Sequence, residues 1–210
     1  MSASRTSTML TTGGRTVDLL NITPEDIDLA DISWALAHIC RFSGHVRRHY
    51  SVAEHSINVA RLLPEPIKIY GLLHDAHEAY IGDISTPMKL ALKAEAYSDL
   101  IDSGVEDVID DGFFERILTN IERPIIKAIH NKLGVPWPVS HHVMAAVKYA
   151  DVTMVEHELQ QLFDGPRVPK AELPMPSWDI EDNAEWPFID IADKFEVMAR
   201  ALTNDLRAAA

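Results

Sequence analysis

The chain has 210 residues, enough for one domain or for one domain with a tail. Its 47% hydrophobic and 24% charged residues are typical of a globular protein. The formal net charge of −13, from 19 basic and 32 acidic residues, argues against sequence-independent binding to DNA or RNA and against docking on an anionic membrane. It does not exclude a small anionic ligand, because net charge does not describe a local pocket.

Cysteine content and hydropathy exclude further classes. The single cysteine, Cys40, cannot form an intrachain disulfide. No apolar run approaches the ~18–20 residues of a membrane span. The Ser/Thr/Gly-rich start of the chain lacks the apolar stretch of a secretory signal. These features predict a cytoplasmic protein.

Helical periodicity dominates the sequence from residue 24 onward. Thr23 followed by Pro24 is a helix start, and Ser51 with Glu54 forms a capping-box pattern. Glycines or prolines separate the periodic segments. The predicted helices cover residues 31–40, 52–63, 67–80, 85–92, 117–133, 140–163 and 189–208. The pattern predicts an all-α fold.

The predicted helices belong to one domain. Residues 1–22 form a polar lead-in, and residues 23–163 carry the main helical bundle. Residues 164–210 add a Pro-rich loop and a last helix to the same domain, with Trp178 and Trp186 expected to hold the loop over the core.

Charge is unevenly distributed along the chain. Residues 95–115 contain eight acidic and no basic residues, and a second acidic stretch covers residues 179–196. Residues 32–53, by contrast, contain three arginines and no acidic residue. We therefore expect an acidic protein with a locally cationic pocket.

Two histidines and two carboxylates form a candidate metal site. His74 and Asp75 follow an apolar run within a predicted helix, where unpaired polar groups are costly. His55 lies on the preceding predicted helix, and Asp151 lies among apolar neighbours on a later one. Histidine and aspartate both bind borderline divalent cations. The alternative for any single histidine is a hydrogen-bonded core residue.

Further candidates surround this set. Glu78 lies one helical turn after His74, where a carboxylate can orient a water or protonate a leaving group. Lys148 precedes Asp151 by three residues on about the same face. Arg41 lies in the stretch that lacks acidic residues. The alternative for these cations is salt bridging to surface carboxylates.

A helix start follows Glu78. Asp83, Thr86, Pro87 and Lys89 lie around it, and a helix start with a nearby lysine favours an anion such as phosphate. Helix capping alone is the alternative interpretation.

The ordered set of motifs resembles the HD-domain metal-dependent phosphohydrolases. The similar segments are Arg41-Phe42, Ser51 to Ser56, His74 to Glu78, Gly82 to Lys89 and Val147 to Asp151. Within that family the chain is most similar to the 5′-deoxynucleotidases and the phage-type deoxynucleoside triphosphohydrolases. The resemblance covers residues 32–163.

The resemblance implies a role for each matching residue. One divalent cation, which could be Mn, Co, Fe, Ni, Zn or Mg, would be bound by two histidines and two aspartates: His55, His74, Asp75 and Asp151. Glu78 would be the general acid/base and, with Asp75, catalytic. Asp83 would contact the sugar, Phe42 and Pro87 would border the sugar and base, and Thr86 would also lie at the substrate. Arg41, Lys89 and Lys148 would hold phosphate oxygens.

The implied activity is phosphoester hydrolysis on a small nucleotide. The first expectation is that a deoxynucleoside 5′-monophosphate is cleaved to deoxynucleoside and phosphate, a reaction of the EC 3.1.3 class. A deoxynucleoside triphosphate triphosphohydrolase is the alternative enzyme. A non-catalytic nucleotide-sensing HD module is the alternative from another class. The resemblance also implies a homo-oligomer. The net charge argues against a nucleic-acid polymer or a membrane as partner.

Overall fold

The computed structural model of the protein describes residues 7–102, 112–164, 176–180 and 187–209. It confirms the all-α fold. The described residues form eight α-helices, which are α1 (Leu29–His38), α2 (Val52–Arg61), α3 (Lys68–Leu73), α4 (Glu78–Ile81), α5 (Thr86–Asp102), α6 (Phe113–Leu133), α7 (His141–Gln161) and α8 (Phe188–Ala209). None of these helices has the length and apolarity that crossing a membrane requires.

Helix α2 is the centre of the bundle. It contacts α1, α3, α7 and α8, and every residue from Val52 to Ala60 is buried. One apolar cluster fills the space between α1, α2, α3, α6 and α8 around Leu72 and Phe195. A second cluster, which includes Val59 and Met154, lies between α2 and α7. The polar side chains of a helix that is buried on all faces need partners inside the protein. The site described below contains the partners of His55.

Local sequence signals set several helix ends. The side chain of Ser51 accepts a hydrogen bond from the Glu54 N–H at 3.1 Å, and Glu54 Oε2 accepts one from the Ser51 N–H at 2.9 Å. This reciprocal pair is the predicted capping box of α2. Gly134 ends α6 in the left-handed conformation, with a φ of 73°.

The amino-terminal lead-in contains structure that the periodicity did not predict. Strands β1 (Thr8–Leu10) and β2 (Thr16–Asp18) pair antiparallel, with Met9 opposite Val17. Val17 is fully buried, and the Thr11 hydroxyl donates to Asp31 of α1 at 2.7 Å. Strands of three residues are too short to show an alternating pattern, so only packing against α1 reveals the hairpin.

The predicted helix over 67–80 is wrong in its middle. The chain forms α3 and α4, and residues 74–77 between them make turns. The N–H groups of Ala76, Glu78 and Tyr80 donate to the carbonyls three residues earlier, which is the tighter 3₁₀ pattern. His74 and Asp75 therefore lie in a tight turn between helices and not within one helix.

The Pro-rich segment is described only in part. Trp178 packs against the second apolar cluster, as a partly buried side chain. Its ring also lies 3.9 Å from the guanidinium carbon of Arg61 on α2. Trp186, the other predicted anchor, lies outside the described residues.

Candidate metal centre and adjoining cleft

Three separate parts of the chain supply the candidate metal ligands. His55 comes from α2, His74 and Asp75 come from the turn after α3, and Asp151 comes from α7. Gly71 allows α3 to approach α2 closely. A Cβ at this position would collide with the Leu63 side chain and lie 3.2 Å from the Cα of Ala60.

The ligand atoms of His55, His74 and Asp75 lie within 4.8 Å of one another, so this cluster could hold a metal ion. His74 Nε2 is 3.1 Å from Asp75 Oδ2, and His55 Nε2 is 3.8 Å from the same oxygen. Asp151 lies beside both rings, with Oδ1 at 3.3 Å from His55 Nε2 and 3.9 Å from His74 Nε2. Two imidazoles and one carboxylate therefore converge on one point, and the Asp151 carboxylate lies beside it.

The hydrogen bonds of the two histidines fix which nitrogen faces that point. His55 Nδ1 lies 2.6 Å from Glu158 Oε1, and His74 Nδ1 lies 2.8 Å from the carbonyl oxygen of Gly71. A carboxylate or carbonyl oxygen can only accept, so each Nδ1 donates, and Nε2 carries the lone pair when the ring is neutral. Both Nε2 atoms are buried without a hydrogen-bond partner among the described residues. The residues present therefore fit a divalent cation.

Glu158 connects the cluster to Arg41. This carboxylate of α7 is fully buried. Its Oε1 accepts from His55, and its Oε2 lies 3.2 Å from both Nε and Nη2 of Arg41. Burial raises the pKa of the Glu158 carboxyl, but His55 and Arg41 outweigh burial and lower it below its ordinary value. Glu158 is therefore a buried charged group that orients both His55 and Arg41.

The two aspartates are also held ionised. Burial by itself raises the pKa of Asp75, but His74, His55 and Arg41 together lower it far below its usual range. For Asp151, burial is likewise outweighed by His55, His74 and the hydrogen bond from Lys148. Both groups are carboxylates at neutral pH, which is the form that binds a metal.

A cleft of about 560 Å³ opens beside the cluster. Asp75 and Asp151 lie on its wall, and the remaining walls come from α4, α5, α7 and the 83–85 connection. All seven residues predicted to contact substrate line this cleft, namely Arg41, Phe42, Asp83, Thr86, Pro87, Lys89 and Lys148. The structure thus brings the predicted ligand set and the predicted substrate contacts to one place.

Glu78 is a buried acidic side chain of the cleft. Its side chain is 7% exposed, and Oε2 has no hydrogen-bond partner among the described residues. Burial, with the nearby charges of Asp75 and Asp83, raises the pKa of Glu78 to about 9. A carboxyl group that keeps its proton at neutral pH can donate it to a leaving group.

Backbone strain accompanies Arg41. Phe42 and Ser43 have φ values of 55° and 53°, a conformation that is uncommon for residues with a Cβ. The Phe42 ring packs edge-on against Phe163 at 5.1 Å, and the Arg41 guanidinium carbon lies 5.3 Å from the Phe42 ring centre. Such strain persists where surrounding contacts enforce it, and it clusters at functional sites.

The two lysines of the cleft make contacts of different strength. Lys148 Nζ lies 2.8 Å from Asp151 Oδ2, although its side chain is 73% exposed. Lys89 Nζ is 3.9 Å from Glu122 Oε1. The Lys89 ammonium can therefore leave Glu122 for an anion in the cleft at little cost, since such ion pairs are weak. The Lys148 ammonium is held more closely, because its partner Asp151 is only 17% exposed.

Comparison with known proteins places the chain in a family. It is 30% identical to the uncharacterized protein YfdR of Escherichia coli K12 over 169 residues, which cover 80% of this chain and 71% of YfdR. The chain belongs to the YfdR family. An uncharacterized protein of Rhodobacter capsulatus is 32% identical over 158 residues, covering 71% of this chain and 69% of that protein. No family model matches the chain.

Glu158 is the residue that the sequence analysis missed. It lies seven residues after Asp151, two helical turns along the same face of α7, which also carries buried Val147 and Met154. A carboxylate on an apolar helix face was the available signal. Its two partners are 103 and 117 residues distant in sequence, so only the fold identifies them.

Proposed function

We propose that this member of the YfdR family is a metal-dependent phosphohydrolase that cleaves a deoxynucleoside 5′-monophosphate to deoxynucleoside and phosphate. One observation carries the proposal. Two buried imidazole Nε2 atoms that have no hydrogen-bond partner among the described residues lie beside two ionised aspartates. They adjoin a cleft that holds three cations and a protonated glutamic acid. The resemblance of the motifs to HD-domain phosphohydrolases supports the same reading.

His55, His74 and Asp75 would hold the metal, with Asp151 as fourth ligand. When bound, a divalent cation lowers the pKa of a coordinated water and polarises a phosphoryl oxygen. Two histidines and two carboxylates suit Mn, Fe, Co, Ni or Zn, so the ligand types leave the choice among them to availability.

The protein's own residues bind the phosphate group and transfer the proton. Arg41 is buried and forms an ion pair with Glu158, so its guanidinium group is held in position to donate hydrogen bonds to phosphate oxygens. Lys89 and Lys148 add positive charge from the opposite walls. As the bond between phosphorus and the 5′-oxygen breaks, Glu78 donates its proton to that oxygen. The oxygen of the attacking water bonds to phosphorus, and the proton that the water loses restores the acid form of Glu78.

The sugar would lie between Asp83 and Phe42. Both line the cleft. A carboxylate can accept a hydrogen bond from a sugar hydroxyl, and the Phe42 ring offers an apolar surface for the carbons of the ring.

A substrate panel tests the proposal. Deoxy- and ribonucleoside mono- and triphosphates are incubated with the protein and Mn²⁺, Co²⁺ or Mg²⁺, and the products are identified. Orthophosphate released from a monophosphate supports the proposed reaction. Tripolyphosphate released from a triphosphate would instead identify the reaction as that of a triphosphohydrolase. Nucleotide binding without any phosphate release in all three metals would refute hydrolysis and favour a sensing module.

A further inference from the structure

One wall of the phosphate-binding cleft contains residues to which no role has been assigned. We call the part of the cleft at Asp75 and Asp151 the metal end. Helix α7 continues beyond Asp151 and lines the cleft with four more residues, which are Val152, Val155, Glu156 and Leu159. Positions three or four residues apart lie on one helix face, so these side chains form a stripe that leads away from the metal end.

Three side chains of the stripe are apolar. Val152 is 38% exposed, and Val155 and Leu159 are half-buried. The Phe42 ring also lines the cleft, and it packs at 5.1 Å against Phe163, which follows the end of α7. The end of the cleft away from the metal is therefore apolar on two sides, as is usual where a protein binds a ring.

The position of Glu156 along α7 suits contact with the base of a nucleotide. An α-helix rises 1.5 Å per residue, so Glu156 lies about 7.5 Å along the helix axis from Asp151. In a nucleotide, one sugar separates the phosphate from the base. A nucleotide whose phosphate is bound at the metal end therefore brings its base to the level of Glu156.

Glu156 is also the one acidic side chain among the described residues of the cleft that has no role so far. Asp75 and Asp151 are candidate metal ligands, Glu78 is the proton donor, and Asp83 would contact the sugar. Glu156 is half-buried and forms no hydrogen bond or ion pair with another described residue. Its negative charge opposes the binding of an anionic substrate, unless a hydrogen-bond donor of that substrate meets it.

We propose that Glu156 selects substrates whose base carries an exocyclic amino group. The inference rests on the proposed function, because it concerns the base of the hydrolysed nucleotide. An ionised carboxylate can only accept hydrogen bonds. It therefore binds the amino group of cytosine or adenine and repels the carbonyl oxygen that thymine or uracil presents at the corresponding position. Glu156 is thus a specificity-determining residue and takes no part in the chemistry at phosphorus.

Two nucleotides of the same size test this selection. Deoxycytidine 5′-monophosphate presents an amino group where deoxyuridine 5′-monophosphate presents a carbonyl oxygen, and kcat/KM is measured for each with Mn²⁺. A two-bond contact to a base edge discriminates by roughly 5- to 150-fold. Glu156 is half-buried and supplies one such contact, so the unaltered protein is expected to prefer the cytosine nucleotide by about 5- to 20-fold.

Glu156→Gln is the decisive variant. A glutamine amide can accept from an amino group and donate to a carbonyl oxygen, so the ratio of the two kcat/KM values should fall to about one, chiefly through a gain on the uracil nucleotide. A general defect in folding would lower both values by the same factor.

Asp164→Asn is the matched control. Asp164 lies just beyond α7, is 81% exposed, pairs with Arg47 and does not line the cleft. This substitution removes the same charge, and it should keep the ratio of the unaltered protein.

Calorimetric binding of the two nucleotides in EDTA separates this inference from the proposed function, because it does not require hydrolysis. A preference for the cytosine nucleotide that Glu156→Gln abolishes and Asp164→Asn retains supports the inference, even if neither nucleotide is hydrolysed with any metal. Hydrolysis of both nucleotides with the same ratio in Glu156→Gln and the unaltered protein would overturn the role of Glu156 and leave the proposed function standing. Preference of the unaltered protein for the uracil nucleotide would also overturn that role. Neither binding nor hydrolysis of either nucleotide would overturn both proposals.

Discussion

Replacing Glu158 with glutamine tests the physical link between the buried carboxylate and metal binding. The two oxygens of Glu158 face two donors, which are His55 Nδ1 at 2.6 Å and the Arg41 guanidinium at 3.2 Å. A glutamine side chain has one accepting oxygen and one donating NH₂ group. In either orientation the NH₂ group meets a donor, and Arg41 loses its only fully buried counter-charge among the described residues.

The expected effect has two measurable parts. Removing one partner of a buried ion pair costs about 3–5 kcal/mol in the free energy of unfolding. Loss of the group that orients a metal-binding histidine weakens metal affinity by roughly 10- to 100-fold. That loss corresponds to about 1.4–2.7 kcal/mol of binding free energy. Urea unfolding measures the first quantity, and calorimetric titration with Mn²⁺ measures the second.

Glu54→Gln is the matched control. Glu54 is 2% exposed, its Oε1 lies 3.0 Å from Arg48 Nη1, and its Oε2 accepts from the Ser51 N–H. The same substitution therefore creates the same donor conflict, here between a buried carboxylate and the half-buried Arg48. It touches no candidate metal ligand, so we expect a loss of stability without a loss of Mn²⁺ affinity. Equal Mn²⁺ affinity in the Glu158 and Glu54 variants would refute the orienting role of Glu158.

Four further substitutions have defined expectations. Glu78→Ala should retain Mn²⁺ in calorimetry but lose hydrolysis by roughly 10²–10⁴-fold in a phosphate-release assay, because it removes the proton donor; full activity would contradict that role. His74→Ala should lose both Mn²⁺ and activity, and a retained metal stoichiometry by elemental analysis would contradict its assignment as a ligand. Gly71→Ala should lower the free energy of unfolding by about 1–3 kcal/mol through collision with α2, and an unchanged urea midpoint would contradict the close approach. Burial lowers the pKa of His130 from its ordinary value of 6.5, so the unfolded chain binds the proton more readily than the folded protein. The free energy of unfolding should therefore decrease as the pH is lowered through about 6.5. His130→Phe should reduce this pH dependence in urea unfolding measured at several pH values.

Much of the candidate site could be predicted because its residues carry local signals. His55 follows a capping box, and His74 and Asp75 follow an apolar run. Histidine and aspartate are costly in such surroundings unless they have partners, so their types and order already suggest a metal. The structure brings His55, His74 and Asp75 together and puts Asp151 beside them.

Two features of the site lay beyond local signals. Residues 74–77 form a 3₁₀ turn and not the predicted α-helix. Tertiary packing around α3 and α4 outweighs the helical preference of the local sequence. Glu158 lies on the apolar face of α7, but nothing near it in sequence shows which groups it contacts. Its role arises from burial against Arg41 and His55, which belong to distant segments.

The sequence by itself determined most of the helices, the capping box at Ser51 and the chemical types of the metal ligands. These depend on periodicity and on contacts within about four residues, which the order of amino acids specifies directly. Only the tertiary structure decided which carboxylate orients His55, and that Glu156 lines the cleft. Those features depend on which helix faces meet. The meeting of faces is a property of the packed core as a whole and not of any single segment.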